Sequence, residues 1–319
     1  MIADPEQAAA VLRSSFFEPG QIIPYLEQLE RRRGVALPHL QAMARCSFVF
    51  LSGDEHLQLR RLAAPYFAPR AVAEFLHEVR AGVGDALDRL ANAAEPDLMR
   101  DFAEPAFLDV MRAFIGFEGG DDDDVIAAIR TANDATQPML SIAALRRIDS
   151  AMGTLTGHLS DAQRRPRGFL GFLQAEGGGL YPPEAQVNVA LSALLAGHTM
   201  AQTLAFLLYG LLLGPAKAWN DVARPDWTET DLDRALSLYL STLTLVRSAS
   251  GAGEVQGCPV QAGQTVVLDV VGANAELRSR GRPGETPALL SFGAGVHKCP
   301  GEPLARLFMA VAAPALASA

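Results

Sequence analysis

Residues 291–301 read Ser-Phe-Gly-Ala-Gly-Val-His-Lys-Cys-Pro-Gly, and no other stretch limits the possible fold as strongly. The segment is a glycine-punctuated loop that delivers one cysteine, Cys299, to the start of a helix. The positive end of a helix dipole beside a sulfur favours the thiolate over the thiol. Gly293, Gly295 and Gly301 allow backbone angles closed to other residues and let the chain approach a flat ligand closely. A thiolate presented in this way suits a metal. The alternative is a free cysteine buried beside a glycine-rich turn.

Around that loop the chain supplies 319 residues, enough for one large domain or two ordinary ones. Hydrophobic residues at 49% and charged ones at 20% provide for a substantial globular core. The formal net charge of -9 argues against a general nucleic-acid binder, which needs clustered positive charge to neutralise phosphates. It leaves room for a local basic patch facing a protein partner. Cys46, Cys258 and Cys299 are too few and too scattered for a disulfide framework, and no pair has the spacing of a zinc site. The N-terminus carries acids early and has no long apolar core, so it does not read as a signal peptide. The most apolar stretch, from about Val189 to Leu213, is interrupted by Gly197, His198, Gln202 and Gly210. A buried helix explains it better than a membrane span. The expectation is a cytoplasmic protein with neither membrane nor nucleic acid as partner.

Most of the first 250 residues read as helix. Ala71–Ala94 and Glu184–Leu213 place apolar residues at three- and four-residue intervals, the period of a helix with one buried face. Pro65 and Pro69, Gly116 to Gly120, Gly177 to Gly179 and Gly214-Pro215 break the pattern. The four acids Asp121 to Asp124 suit a solvated loop or a helix start. After Arg247 the texture changes. Glu254–Gln256 and Val260 flank a Gly-Cys-Pro turn, and Gln264–Val271 is rich in β-branched residues, which predicts a small β-hairpin. A loop rich in Arg, Gly and Pro runs from Arg278 to Pro287, and a last helix begins near Cys299. The fold class is mainly α with a small β region, and residues 1–319 read as a single domain.

The run Phe292-Gly293-Ala294-Gly295-Val296-His297-Lys298-Cys299-Pro300-Gly301 resembles the cytochrome P-450 haem-binding loop, Phe-Gly-x-Gly-x-His-x-Cys-x-Gly, at every fixed position. The resemblance implies a cytochrome P-450-like fold, haem b as cofactor and Cys299 as the axial ligand to its iron. Gly53 to Arg61 resembles the family's C helix, whose His-x-x-x-Arg pair reaches the haem propionates; His56 and Arg60 stand in those places. Four residues apart on a helix, they share a face and can bind one anionic group. Arg247 occupies the place of another propionate-binding arginine, and with His297 the resemblance implies four partners for two propionates. It runs from about residue 50 to 310, and both ends are short for the family, so a shortened member is expected.

Two departures stand out. The family's K helix carries Glu-x-x-Arg, an ion pair supporting the haem core, but counting back from Arg247 those places hold Arg234 and Ser237. Either another network replaces the pair, or an apolar helix such as Leu236–Leu245 substitutes for it. The segment from Leu194 to Ala201 resembles the family's I helix as far as Gly197-His198, where members continue with an acid and then Thr to deliver protons for oxygen activation. Here Thr199 and Met200 follow, leaving Thr199 and His198 as candidate catalytic groups and no acid. The implied activity is oxidation or another transformation of a small or medium apolar metabolite, as in secondary metabolism. It would use a ferredoxin-type redox partner, or else peroxide or a non-oxygenating route. The alternative is a catalytically degenerate relative serving as partner or activator of another enzyme.

Overall fold

Helices form wherever the three- and four-residue apolar spacing runs uninterrupted, and they end at the glycines and prolines that break it. In the computed structural model residues 1–20, 22–137, 139–224, 227–255, 257–280 and 289–319 are described. Gln256 of the expected hairpin, and the part of the expected Arg-, Gly- and Pro-rich loop beyond Arg280, lie outside the described residues. In chain order the first elements are α1 (Pro5–Arg13), β1 (Phe17–Glu18), α2 (Ile22–Arg33), α3 (Pro38–Ala44), α4 (Gly53–Ala63), α5 (Pro69–Ala73) and α6 (Leu76–Asn92). A π-helical stretch, Leu98–Ala103, leads into α7 (Glu104–Ile115), followed by α8 (Asp122–Asn133), α9 (Ile142–Ala162), α10 (Gly168–Gly177) and α11 (Pro183–Gly197). Then come α12 (Thr199–Leu213), α13 (Ala216–Val222), α14 (Glu229–Leu238), β2 (Thr244–Ala249), β3 (Gly253–Val255) and β4 (Cys258–Val260). The chain closes with β5 (Thr265–Asp269), α15 (Val270–Arg280) and α16 (Glu302–Ser318). This is the mainly α fold with a small β region that the sequence predicts.

The chain divides into two compact units, each discontinuous in sequence. The first comprises Met1–Gly20, Val83–Ala103 and Thr199–Ala319. Its three-stranded antiparallel sheet has the order β1-β2-β5, with Arg247 opposite Val266. Ile2, Val11, Leu12, Phe17, Val266 and Leu268 form the core beneath that sheet. Elsewhere in this unit the Trp219 indole N–H donates to the Ala317 carbonyl at 3.2 Å, tying α13 to α16.

The second unit, Gln21–Gly82 and Glu104–His198, is built around aromatic side chains. Tyr66, Phe67, Phe75, Phe114, Phe169 and Phe172 pack at ring separations such as 4.9 Å for Tyr66–Phe114 and 5.1 Å for Phe67–Phe169. Edge-to-face and tilted contacts of this kind add to the burial of the rings. The Tyr66 hydroxyl donates to the Phe114 carbonyl at 2.7 Å, so the half-buried phenol is satisfied. Asp121 caps α8 by accepting from the Asp123 and Asp124 amides, which makes the acidic run a helix start.

Several local expectations are corrected. The helix expected over Leu236–Leu245 stops at Leu238; Tyr239 turns extended, and Thr244–Ala249 pairs as a strand with Thr265–Asp269. Its β-branched Thr244 and Val246 suit that ladder better than a helix. β3 and β4 pair antiparallel as the expected hairpin, but Cys258 opens β4, opposite Val255, instead of sitting in the turn. Gln264–Val271 supplies β5 and then, from Val270, the first turn of α15. Glu184–Leu213 is interrupted at His198, and Ala71–Ala94 between Ala73 and Leu76. Residues 183–213 are long and apolar enough to cross a membrane, but 61% of their most apolar window is buried inside the fold.

Candidate active site

Cys299 is exposed, and its amide donates to the Phe292 carbonyl at 2.9 Å, which closes the loop on itself. Gly293 and Gly295 have φ of 71° and 72°, the left-handed region that favours glycine. At Gly295 the demand comes from the chain, because a Cβ there would lie 2.6 Å from the Leu12 carbonyl oxygen. Gly301 has φ -80, and a Cβ on it would meet only the Cys299 sulfur, at 3.8 Å. The sulfur therefore stands on an open glycine face. The last helix begins at Glu302 rather than at Cys299, with Gly301 as its N-cap. Pro300 disfavours helical backbone angles at Cys299, the residue before it, which suits a later start. The sulfur sits just ahead of the helix, still beside its positive end.

Arg247 lies in the same unit, on β2, and is 8% exposed. Its Nη1 donates to the Val246 carbonyl at 2.8 Å, while Nε is buried without a hydrogen-bond partner among the described residues. Burial pushes the guanidinium pKa down. A buried cation lacking a carboxylate is costly unless an anion joins it. This set fits haem: an accessible sulfur, a glycine face, and an under-satisfied cation suited to a propionate. His297 ends a single 3-10 turn, Gly295–His297, in the Cys299 loop.

In the second unit α4 carries His56 and Arg60 one turn apart. His56 is 1% exposed. Burial, and secondarily the Arg60 charge, lower its pKa to about 4, so at neutral pH it is an uncharged hydrogen-bonding group. The same unit has a half-open cavity of about 370 Å³ lined by Ile22, Tyr25, Leu26, Leu40, Leu140 and Leu145 among others.

His198 is buried, and it is tied to a residue that the sequence does not single out. Its Nε2 lies 3.0 Å from Glu104 Oε1, and its ring is 5.4 Å from that of Phe107. Glu104 is fully buried and also accepts from Arg130 Nε at 2.6 Å, with Arg130 Nη2 on its second oxygen. Burial acts to raise the Glu104 carboxyl, but the His198 and Arg130 contacts outweigh it and hold the pKa below the usual value. His198 Nδ1 is buried with no hydrogen-bond partner among the described residues. Thr199 opens α12 in the first unit and is exposed; its carbonyl accepts from the Ser241 hydroxyl at 3.2 Å. The Glu-x-x-Arg places hold an Arg234 side chain that is 69% exposed and a Ser237 hydroxyl bonded back to the Arg234 carbonyl.

No protein-family model matches the chain. Among solved structures, CalO2 superposes with a TM-score of 0.87 at 24% identity over 99% of this chain and 81% of its own. An epothilone D-bound cytochrome P-450 gives 0.81 at 23% identity over 98% and 82%. At such identities the likeness establishes the fold. Among curated proteins, the epothilone C/D epoxidase of Sorangium cellulosum is 26% identical over 85% of this chain and 70% of its own length. The 20-oxo-5-O-mycaminosyltylactone 23-monooxygenase of Streptomyces fradiae is 30% identical over 85% of this chain and 67% of its own length. With that identity, that coverage, and an intact cysteine loop, the chain belongs to the cytochrome P-450 superfamily of haem-dependent oxidoreductases.

Proposed function

We propose that the chain is a haem-thiolate monooxygenase for a small or medium apolar metabolite, of the kind met in secondary metabolism, with an unusual arrangement for oxygen activation. The observation that carries this reading is the Cys299 loop, where an accessible sulfur stands on a glycine face ahead of α16. Haem b bound there supplies the capacity to activate oxygen. Cys299 is assigned as its thiolate ligand, and Phe292, Gly293, Gly295 and Gly301 shape the loop. Arg247 donates to a propionate and so neutralises its own buried charge. His297, His56 and Arg60 keep the propionate role that the family resemblance gives them.

Proton handling is where this chain departs from the family pattern that its I-helix segment resembles. No acid follows His198 on the helix, and the His198 ring is oriented by Glu104. Thr199 is assigned as the alcohol that donates and accepts hydrogen bonds at the reacting face, and His198 as the nearest titratable group. Weakened delivery favours peroxide, or a non-oxygenating reaction, over a ferredoxin-type electron supply. The second reading, a degenerate relative acting as a haem-binding or haem-free partner of another enzyme, draws on the missing Glu-x-x-Arg pair. We assign the protein to the cytoplasm, with neither membrane nor nucleic acid as a partner.

The deciding experiment is the absorption spectrum of purified protein, ferric and then reduced under carbon monoxide. A strongly red-shifted Soret band that is lost in Cys299→Ser supports the thiolate assignment; unchanged haem ligation in that variant overturns it. Protein that takes up no haem even on reconstitution fits the second reading instead. If Thr199 acts in oxygen activation, Thr199→Ala uncouples electron consumption from product formation. Unaltered coupling would point to the peroxide-driven or non-oxygenating route.

A further inference from the structure

Arg306 lies on α16, one turn beyond Glu302, and its guanidinium faces three carboxylates. Nη2 meets Asp233 of α14, Nη1 lies 3.2 Å from Glu229 of the same helix, and Nε lies 3.2 Å from Glu302. Its guanidinium carbon lies over the Phe292 ring, 5.8 Å from the centroid, within cation–π range. Glu302 in turn holds the Lys298 ammonium at 2.6 Å, and Lys298 directly precedes Cys299. Because the Cys299 amide donates to the Phe292 carbonyl, both ends of the cysteine loop connect to one arginine.

Exposure separates the contacts that matter from those that do not. The side chains of Arg306, Asp233 and Glu302 are 27%, 18% and 17% exposed, whereas Glu229 is 75% exposed. Surface ion pairs contribute little, but a partly buried, branched network resists screening. Meanwhile Arg234 and Ser237, where the family keeps its ion pair, do not anchor α14 to the loop.

We propose that Arg306 is a positioning residue for the Cys299 thiolate, tying α14, the first turn of α16 and the cysteine loop together in place of the absent Glu-x-x-Arg pair. The inference rests on Cys299 being the haem ligand. Only an arginine serves, since a planar fork can bind Asp233 and Glu302 while lying over Phe292, and a lysine ammonium cannot do all three. Without it, the partly buried Asp233 loses its charged partner, Glu302 keeps only Lys298, and the Phe292 side of the loop is left to the Ser291 hydroxyl, which donates to the Leu236 carbonyl of α14 at 3.3 Å.

The test is the reduced carbon monoxide spectrum of haem-loaded protein, read together with the haem content and reduction potential of each variant. Arg306→Gln and Asp233→Asn are each expected to shift the ratio of red-shifted to unshifted Soret band about tenfold toward the unshifted form, the effect of losing one charge-assisted hydrogen bond. Arg306→Lys should fall between wild type and Arg306→Gln, and the double variant should be no worse than Arg306→Gln alone, as coupled residues behave. If Arg306→Gln does not fold, Asp233→Asn and Phe292→Leu decide the matter by the same ratio. Variant spectra and potentials identical to a red-shifted wild type overturn the positioning role while leaving the haem-thiolate reading intact. A wild type that itself lacks the red-shifted band removes that reading, and the inference with it.

Discussion

His56 shows how one buried side chain makes the haem-free protein sensitive to acid. Its folded pKa of about 4 lies below the ordinary value of 6.5, so as pH falls the unfolded chain takes up the proton first. Stability is therefore intact above pH 6.5 and is lost progressively as pH drops toward 4, by up to about 3 kcal/mol from this group. Replacing it in His56→Gln should flatten that limb of a stability-versus-pH curve measured by urea denaturation of haem-free protein. An unchanged slope between pH 4 and 6.5 would show that His56 is not the group responsible. Arg247 has a cost of a different kind, since its charge is buried and one nitrogen has no hydrogen-bond partner among the described residues. In Arg247→Leu the haem-free chain should gain about 1–2 kcal/mol, because apolar replacement of an uncompensated buried charge stabilises. The same variant should retain haem less well. Calorimetry of the haem-free form and a haem-transfer assay read the two signs separately, and a loss in both would contradict the role given to Arg247.

At the scale of elements, what was legible in the sequence followed from local chemistry. The cysteine loop could be read because its glycines and cysteine act through their own backbone and sulfur. The helix start at Asp121 was also open to reading, because a cap is made within four residues. The strand at Thr244–Ala249 was harder: its partner, Thr265–Asp269, lies some way along the chain, and the intervening apolar residues fit either period. Glu104 left no sequence signal and Arg306 only its i,i+4 spacing from Glu302, since each acts mainly through residues distant in sequence, such as Arg130, His198 and Asp233. Where breakers were seen, the structure explains their force. Gly116, at the end of α7, has φ of 88°, and a Cβ on it would lie 1.9 Å from the Arg167 carbonyl oxygen. Gly116→Ala combines left-handed strain with a backbone clash, so a loss of about 3 kcal/mol or more is expected. Equilibrium denaturation measures this directly, and a cost below about 1 kcal/mol would mean that the α7–α10 junction relaxes freely.

For the molecule as a whole, the path of the chain bears on whether residues 1–319 form one domain. The backbone passes between the two compact units at residues 20–21, 82–83, 103–104 and 198–199. The second passage falls inside α6, so one continuous helix contributes residues to both units. Neither unit is made from a single uninterrupted stretch. This argues for one cooperative domain, a claim about unfolding that can be measured. Both tryptophans, Trp219 and Trp227, belong to the first unit, whereas helices throughout the chain contribute to far-ultraviolet dichroism. If the chain is one domain, denaturant curves from tryptophan fluorescence and from dichroism should share a midpoint and slope, as a two-state transition requires. A fluorescence midpoint displaced from the dichroism midpoint would show two units unfolding separately, and residues 1–319 would then have to be treated as two domains.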